Sequence, residues 1–372
     1  MSQSVLKNST AKPTNFRFAL LPALQFVTII TLGAGGLWPL LSIALGAIVY
    51  LFLDELGADV ISSQITKQNG WLEAVLYVIA ILTFIEILVF ARFAQTHADN
   101  LLALFAAAVT VGIHLSLTAG TAGHELVHRT DTPWFRSVGQ ALFAFSLRFD
   151  APIEHVFGHH RTVGTKQDPA TAQRGTHYWA YLPRSVAESF KNAARFEKAR
   201  LAKKGRAPFH WRNRFLQGLS MSAAFVIIFG IIAGWPGVTA VLFSAMISCI
   251  IIELFNYIAH YGLVRIEGTR IAARHSWNSY RTVTTSAMLN LPRHSDHHLH
   301  PRAEYWALEP HHDGPILPFG SGIMALAAMF PPMYFSIMQP HLDDWDHRFA
   351  NADELAALRN DAGNQATYKH AA

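Results

Sequence analysis

LLALFAAAVTVGIHLSLTAGTAGHELVH, residues 101–128, carries no Asp, Glu, Lys or Arg until Glu125 and ends on two histidines four positions apart, His124 and His128. At 1.5 Å per residue an α-helix needs roughly 20 apolar residues to cross the hydrocarbon core of a bilayer. The stretch therefore predicts a transmembrane helix over 100–122. Residues four apart share one helix face, so the two imidazoles face a common point just past the end of that span.

Similar apolar runs lie on either side, at 16–35, 37–57, 71–92, 215–234 and 237–259. The tight connections Gly33-Ala34-Gly35-Gly36 and Gly234-Trp235-Pro236-Gly237 make the first two and the last two spans helical hairpins. Composition agrees: 51% of the 372 residues are hydrophobic and 15% charged, against roughly 25% charged in soluble domains. The expected fold is an all-α membrane protein with six transmembrane helices and a histidine-rich cytoplasmic region. Its expected parts are a disordered polar tail over 1–15, one integral-membrane domain over 16–347 and a polar tail over 348–372. No signal-peptide cleavage pattern precedes the first run, which is read as retained.

Six spans place both termini, and the segments 123–214 and 260–372, on one side. Those segments hold 16 and 9 of the 30 Lys and Arg residues, and the positive-inside rule makes that side cytoplasmic. The net charge of +5 is then a topological asymmetry rather than a footprint for nucleic acid. The apolar stretch 316–337 is interrupted by Pro318, Gly320, Gly322, Pro331 and Pro332. It reads as interfacial or re-entrant rather than as a seventh span. The single cysteine, Cys249, excludes a disulfide framework and a four-cysteine metal site within this chain.

Histidine is the unusual count, 20 against 25 Asp plus Glu. Nine fall in four clusters: His124 and His128; His155, His159 and His160; His260; and His294, His297 and His298. Each cluster follows a span or lies in a segment assigned to the cytoplasmic side, so all four converge at one membrane depth. Such crowding points to metal. Imidazole suits zinc, copper, iron and nickel alike, but nine ligands exceed one zinc ion and fit two ions of higher coordination with open positions. HELVH at 124–128 also matches the zinc-protease pattern HExxH, a reading that leaves the other clusters without a role. Glu125, Glu154 and Asp296 are candidate acceptors that orient ligand imidazoles. Asp168, in QDPAT at 167–171, serves similarly or as a turn or cap residue. The other eleven histidines read as surface, interface or core residues. Among them His114 lies about 15 Å along the helix from His124, where a core hydrogen bond suits it better than ligation.

Five stretches carry a family resemblance: HELVHR at 124–129, EHVFGHHRTVGTKQDPATA at 154–172, NYIAHYGL at 256–263, HSWNS at 275–279 and LPRHSDHHLHP at 291–301. In order and spacing, from about residue 16 to 347, the chain resembles the alkane 1-monooxygenases and related membrane di-iron hydroxylases, within the membrane fatty acid desaturase superfamily. The xylene monooxygenase branch shares this architecture. The resemblance implies two iron ions held by the nine histidines on the cytoplasmic side of a bacterial inner membrane, and hydroxylation of an unactivated alkyl carbon with dioxygen as co-substrate. It implies electrons from rubredoxin or a ferredoxin, fed by an NAD(P)H-dependent reductase. The alkane enzymes carry an acidic residue where this chain has Ala259.

No flavin or nucleotide fingerprint is present, so neither is expected to bind. Arg195, Lys198, Arg200, Lys203, Lys204, Arg206, Arg212 and Arg214 form a basic stretch. It could steer an acidic carrier or face anionic lipid. Trp38, Tyr50, Trp71 and Phe84 are candidates for lining an apolar substrate channel open to the bilayer, or for facing lipid. A desaturase, which yields an alkene instead of an alcohol, is the alternative on the same scaffold. A metal transporter would more naturally place its histidines at the bilayer midplane.

Overall fold

The computed structural model describes residues 14–61 and 70–360. Of the expected tails over 1–15 and 348–372, the parts 1–13 and 361–372, with His370, lie outside them. Among the described residues the regular structure is helical, apart from the isolated bridges Asp59–Arg281 and Asn278–Ile316. Five helices are long and apolar enough to cross a membrane: α1 Asn15–Ala34, α2 Pro39–Leu56, α3 Gly70–Thr96, α4 Leu101–His128 and, later in the chain, Arg214–His260. Between α4 and that last helix come α5 Pro133–Phe145, a helical segment α6 over 151–162, and α7 Tyr178–Ala202. Arg214–His260 is α8. After it come α9 Thr282–Ala287, α10 His294–Leu299, α11 Ser321–Ala328, α12 Pro331–Arg348 and a final short helix, α13, over 352–360.

The expected hairpin at 234–237 falls inside α8, where Gly234 has φ +60° and ψ −150°, outside the helical region. A Cβ on Gly230 would sit 3.1 Å from Val238 Cγ2, eight residues on, where a straight helix would hold them about 12 Å apart, so the chain doubles back tightly at this point. Asn100 and Asn213 start α4 and α8 by accepting hydrogen bonds from the N–H groups of Ala103 and Leu216, each at 3.1 Å, the capping role that short amide side chains favour.

Close packing of α4 against α8 depends on Gly112, where an added Cβ would lie 2.7 Å from that of Ile247. Small residues at such crossings let helix backbones approach within a membrane. A similar approach on α5, Gly139 against the Gly123 carbonyl oxygen and Val127, braces the histidine end of α4. Ile81, Leu88, Phe105 and Ile231 are exposed on the outer faces of the long helices, as a lipid-facing surface requires. At the end of α8 the aromatic rings of Tyr181, Tyr257, Tyr261 and Tyr334 pack at centroid distances of 5.2–5.3 Å and join α7, α8 and α12. In the stretch 316–337, α11 has 8 residues, about 12 Å of helix, too short to cross the hydrocarbon core.

Candidate metal centre

His128 is the last residue of α4 and His260 the last of α8, so two long helices deliver imidazoles to one region. α6 and α10 supply the rest. The nine histidines singled out in the sequence come together as two groups, one of His124, His128, His155, His160 and His297, the other of His159, His260, His294 and His298. Within each group one ring nitrogen per residue lies within 4.8 Å of all the others.

The division cuts across the sequence clusters. Residues 155–159 form a π-turn, and the His160 N–H reaches the His155 carbonyl five residues back. The wider turn carries residue i+5 round to sit over residue i, so His155 and His160 face one group while His159 faces the other. On α10 the helical spacing of four keeps His294 and His298 together, and His297 turns to the first group. The spacing of four puts His124 and His128 in one group, whereas each triplet is divided between the two. A second π-turn, 119–123, immediately precedes His124.

The nitrogen contacts test whether a metal fits. His155 Nε2 lies 2.7 Å from His124 Nε2, 3.0 Å from His128 Nε2 and 3.0 Å from His160 Nε2. A ring nitrogen has one proton or one lone pair, so at most one of these three contacts is a hydrogen bond. Ligands at right angles, each ~2.1 Å from a shared ion, sit about 3.0 Å apart, using the usual metal–imidazole length. In the second group His294 Nε2 is 2.9 Å from His260 Nε2 and 3.2 Å from His298 Nε2. The His297 Nε2 atom is buried and has no hydrogen-bond partner among the described residues. The donor sets therefore fit bound metal.

Charge agrees with this. Burial, followed by the neighbouring histidines, lowers the pKa values of His155, His160, His297 and His298 well below the ordinary imidazole value, and that of His294 to about 3. The rings are neutral at pH 7, the form that binds metal. His159 goes the other way: burial lowers it, but the Asp168 carboxylate outweighs burial and raises it. His159 Nδ1–H donates to both Asp168 oxygens at 3.0 Å, and Asp168 also accepts from Thr171 Oγ1 at 2.6 Å and the Ala170 N–H at 3.2 Å. The His159 tautomer is thus set, with Nε2 left for metal.

The three other acids behave differently. Glu125 turns to Arg129, 3.0 Å away, which also holds Glu73 at 2.8 Å. Asp296 accepts from His300 Nδ1–H, His311 Nε2–H and the Glu309 N–H at 2.8–2.9 Å, and from none of the nine histidines. Glu154 Oε1 is buried without a hydrogen bond among the described residues. Burial, then the nearby Asp168 charge, raises the Glu154 carboxyl to about 8.

A cavity of about 110 Å³ adjoins both groups, with His124, His155, His159 and His294 in its wall. Phe143, Ile252, Phe255 and Leu317 make much of the remainder apolar, and Ala259 also lines it. Trp38, Trp71 and Phe84 are exposed on the outside of the bundle, and neither they nor Tyr50 lines this cavity. His114 bonds Thr28 Oγ1 at 2.9 Å, inside the core. In the basic stretch Arg200 and Arg214 turn in to Glu197, while Lys203, Lys204 and Arg212 are exposed beside the equally exposed Phe209 and Trp211.

Two features escaped the sequence reading. Arg148, at the cavity wall, donates to Asp150 at 2.9 Å and to Glu253 at 2.6 Å, all three buried. Glu253 also accepts from Tyr181 Oη at 3.0 Å and Ser185 Oγ at 2.7 Å. An acid inside an apolar span is a signal in its own right, and Glu253 in IIIELFNY is such an acid. The second is Glu354 on α13, buried against Arg274 and His275, in a segment whose composition reads as a polar tail.

An all-helical frame that drives histidines from two long apolar helices and two short segments into paired groups defines an integral-membrane metalloenzyme of the desaturase type. Residues 99–324 match the fatty acid desaturase family, and the chain belongs to that family. Within it the chain is 33% identical to alkane 1-monooxygenase 2 of Pseudomonas aeruginosa, over 62% of this chain and 63% of that enzyme. It is 31% identical to the alkane 1-monooxygenase of Ectopseudomonas oleovorans, over 75% of this chain and 70% of that enzyme. It is 30% identical to the xylene/toluene monooxygenase hydroxylase component XylM of Pseudomonas putida, over 62% of each. The match thus spans less than two thirds of the first and third of these relatives.

Proposed function

We propose that this chain is the hydroxylase of a membrane monooxygenase system, inserting one atom of dioxygen into an unactivated alkyl carbon, the terminal methyl of an alkane-type substrate. In this reading His124, His128, His155, His160 and His297 hold one iron ion and His159, His260, His294 and His298 a second. The observation that carries it is the threefold contact at His155 Nε2, which hydrogen bonding cannot account for. Similarity to alkane 1-monooxygenases supports iron and the alkyl substrate.

Iron, when bound, supplies the dioxygen and one-electron chemistry that no side chain can perform. The chain's own residues do the rest. Asp168 holds the Nδ1 proton of His159 and so fixes that ring. Phe143, Ile252, Phe255 and Leu317 give an alkyl chain a dry wall beside the histidines and keep water from competing. The Arg148–Asp150–Glu253 network ties α6 to α8 across the cavity, so that the two groups keep their separation.

In this reading α8 crosses twice, about Gly234, for six crossings in all, with the histidines on the cytoplasmic side of a bacterial inner membrane and one domain over about 16–347; the non-helical Gly234 supports it. Two electrons per turnover come from rubredoxin or a ferredoxin with an NAD(P)H-dependent reductase. The substrate enters from the bilayer. Similarity to XylM supports a second reading, hydroxylation of methyl groups on aromatic rings. The test is mass spectrometry of products formed under ¹⁸O₂ by iron-loaded, reduced protein offered n-alkanes, alkylbenzenes and fatty acyl lipids together. Labelled primary alcohols from alkanes are expected. Labelled benzylic alcohols alone select the second reading, an alkene product selects a desaturase, and oxygen uptake with no label in any substrate removes the proposal.

A further inference from the structure

The segment that faces the His260 ring is itself held by Glu354, which lies outside the family match at 99–324. His275, fully buried, accepts the Ala272 N–H on Nδ1 at 3.0 Å. A neutral imidazole carries one proton, which must then be on Nε2, and Nε2 is 2.9 Å from Glu354 Oε1. Glu354 also accepts from Arg274 Nε and Nη2 at 3.0 Å and from the Asn351 N–H at 2.9 Å. The segment held this way brackets His260. Its Trp277 N–H donates to the Ala259 carbonyl at 2.8 Å and its Trp277 Nε1–H to the Tyr261 carbonyl at 3.0 Å. Between those two bonds, the His275 carbonyl faces His260 Nδ1 at 3.4 Å. With its Nδ1 proton directed at that carbonyl, His260 presents the Nε2 lone pair toward His294 Nε2.

We propose that Glu354 is a positioning residue for the second histidine group: by holding the Nε2 proton of His275 it sets the carbonyl that fixes the tautomer and angle of His260. The inference rests on the reading of the nine histidines as metal ligands. It assigns α13 a role in metal binding, with the carboxylate as the element that matters. Partners that orient ligating histidines affect metal affinity by about 10–100-fold.

The test is anaerobic titration of the full-length protein, in lipid nanodiscs, with iron(II), comparing the wild type with Glu354→Gln, Glu354→Leu and Arg274→Leu. The wild type should take up two ions per chain. Glu354→Gln keeps an acceptor for His275 and should retain both. Glu354→Leu keeps the bulk without the acceptor, and should hold one ion as tightly as the wild type and the second about 10–100-fold more weakly. Its Mössbauer spectrum should show a single iron environment at one equivalent. Arg274→Leu removes only the outer ion pair and should retain both ions, which keeps the test decisive if Glu354→Leu is not recovered as folded protein. The inference is overturned if Glu354→Leu binds the second ion with wild-type affinity, or if Glu354→Gln or Arg274→Leu loses it, since simple anchoring of α13 would then be the cause. A wild type that takes up no iron sinks the ligand reading itself, and this inference with it.

Discussion

His155 and His160 stand five residues apart and bring their Nε2 atoms to 3.0 Å, because the turn between them is a π-turn. In a regular α-helix five residues place side chains about 140° apart, at 100° per residue. The extra residue in the turn is therefore what sends His155 and His160 to one group and His159, between them, to the other. Inserting an alanine after Val156 would put His155 and His160 six residues apart, about 240° round an α-helix, and should break the first group. Iron content of the purified variant should fall to one ion per chain or less, and an insertion variant that still binds two would refute the role of the turn.

Asp168 and Asp296 look alike in the sequence, each close to a histidine triplet, yet only Asp168 bonds one of the nine. Asp168→Asn should weaken iron binding at the second group by about 10–100-fold. Asp296→Asn should leave iron affinity within about threefold of the wild type. Equal losses in the two variants, measured by iron(II) titration, would contradict the geometry.

Arg148 is enclosed by Asp150 and Glu253. Removing one partner of a buried ionic cluster leaves uncompensated charge, at about 3–5 kcal/mol. Arg148→Met should therefore lower the thermal unfolding midpoint sharply, and adding Glu253→Gln should recover part of the loss. A single variant as stable as the wild type would show that the cluster contributes little.

Gly112 faces Ile247 at a distance that leaves no room for a side chain. Gly112→Leu should cost about 1–3 kcal/mol by overpacking and push the end of α4 out of register with that of α8. Both a lower unfolding midpoint and lower iron content are expected, whereas Gly33→Leu, which has open space around it, should do neither.

Burial pushes the Glu354 carboxyl up, but hydrogen bonds from His275, Arg274 and the Asn351 N–H outweigh it and hold the group at about 2. Its folded value thus lies below the unfolded one of about 4.3. The stabilisation is complete above the unfolded value and is lost as pH falls through about 2. Hydrogen exchange of 352–360 in the wild type, after correction for the intrinsic rate, should accelerate between about pH 4 and pH 2. In Glu354→Gln the same window should be flat.

The long apolar helices, the hairpin at Gly234 and the nine histidines were legible because each leaves a local mark: uninterrupted hydrophobicity, a glycine–proline turn, imidazoles at helical spacing. Glu125 and Asp296 stand beside clustered histidines in the sequence, and the structure gives them Arg129, His300 and His311 as partners instead. Their nearest neighbours in the chain lie on other faces of the same helix. Glu354 was passed over because a polar residue in a charged terminal segment looks solvated until α13 folds back on His275.

What the sequence by itself determined is the solvent the chain folds in and the histidine inventory, since apolar run length and residue type are properties of the chain alone. The partition of nine histidines into five and four, the choice of Asp168 as the acid that orients one of them, and the placing of Glu354 behind His260 were decided only by tertiary structure. Each depends on the angle of a side chain about a helix axis and on which distant segment packs against it. Linear spacing fixes neither of these once a turn departs from 3.6 residues or a contact spans 79 positions, as His275 to Glu354 does.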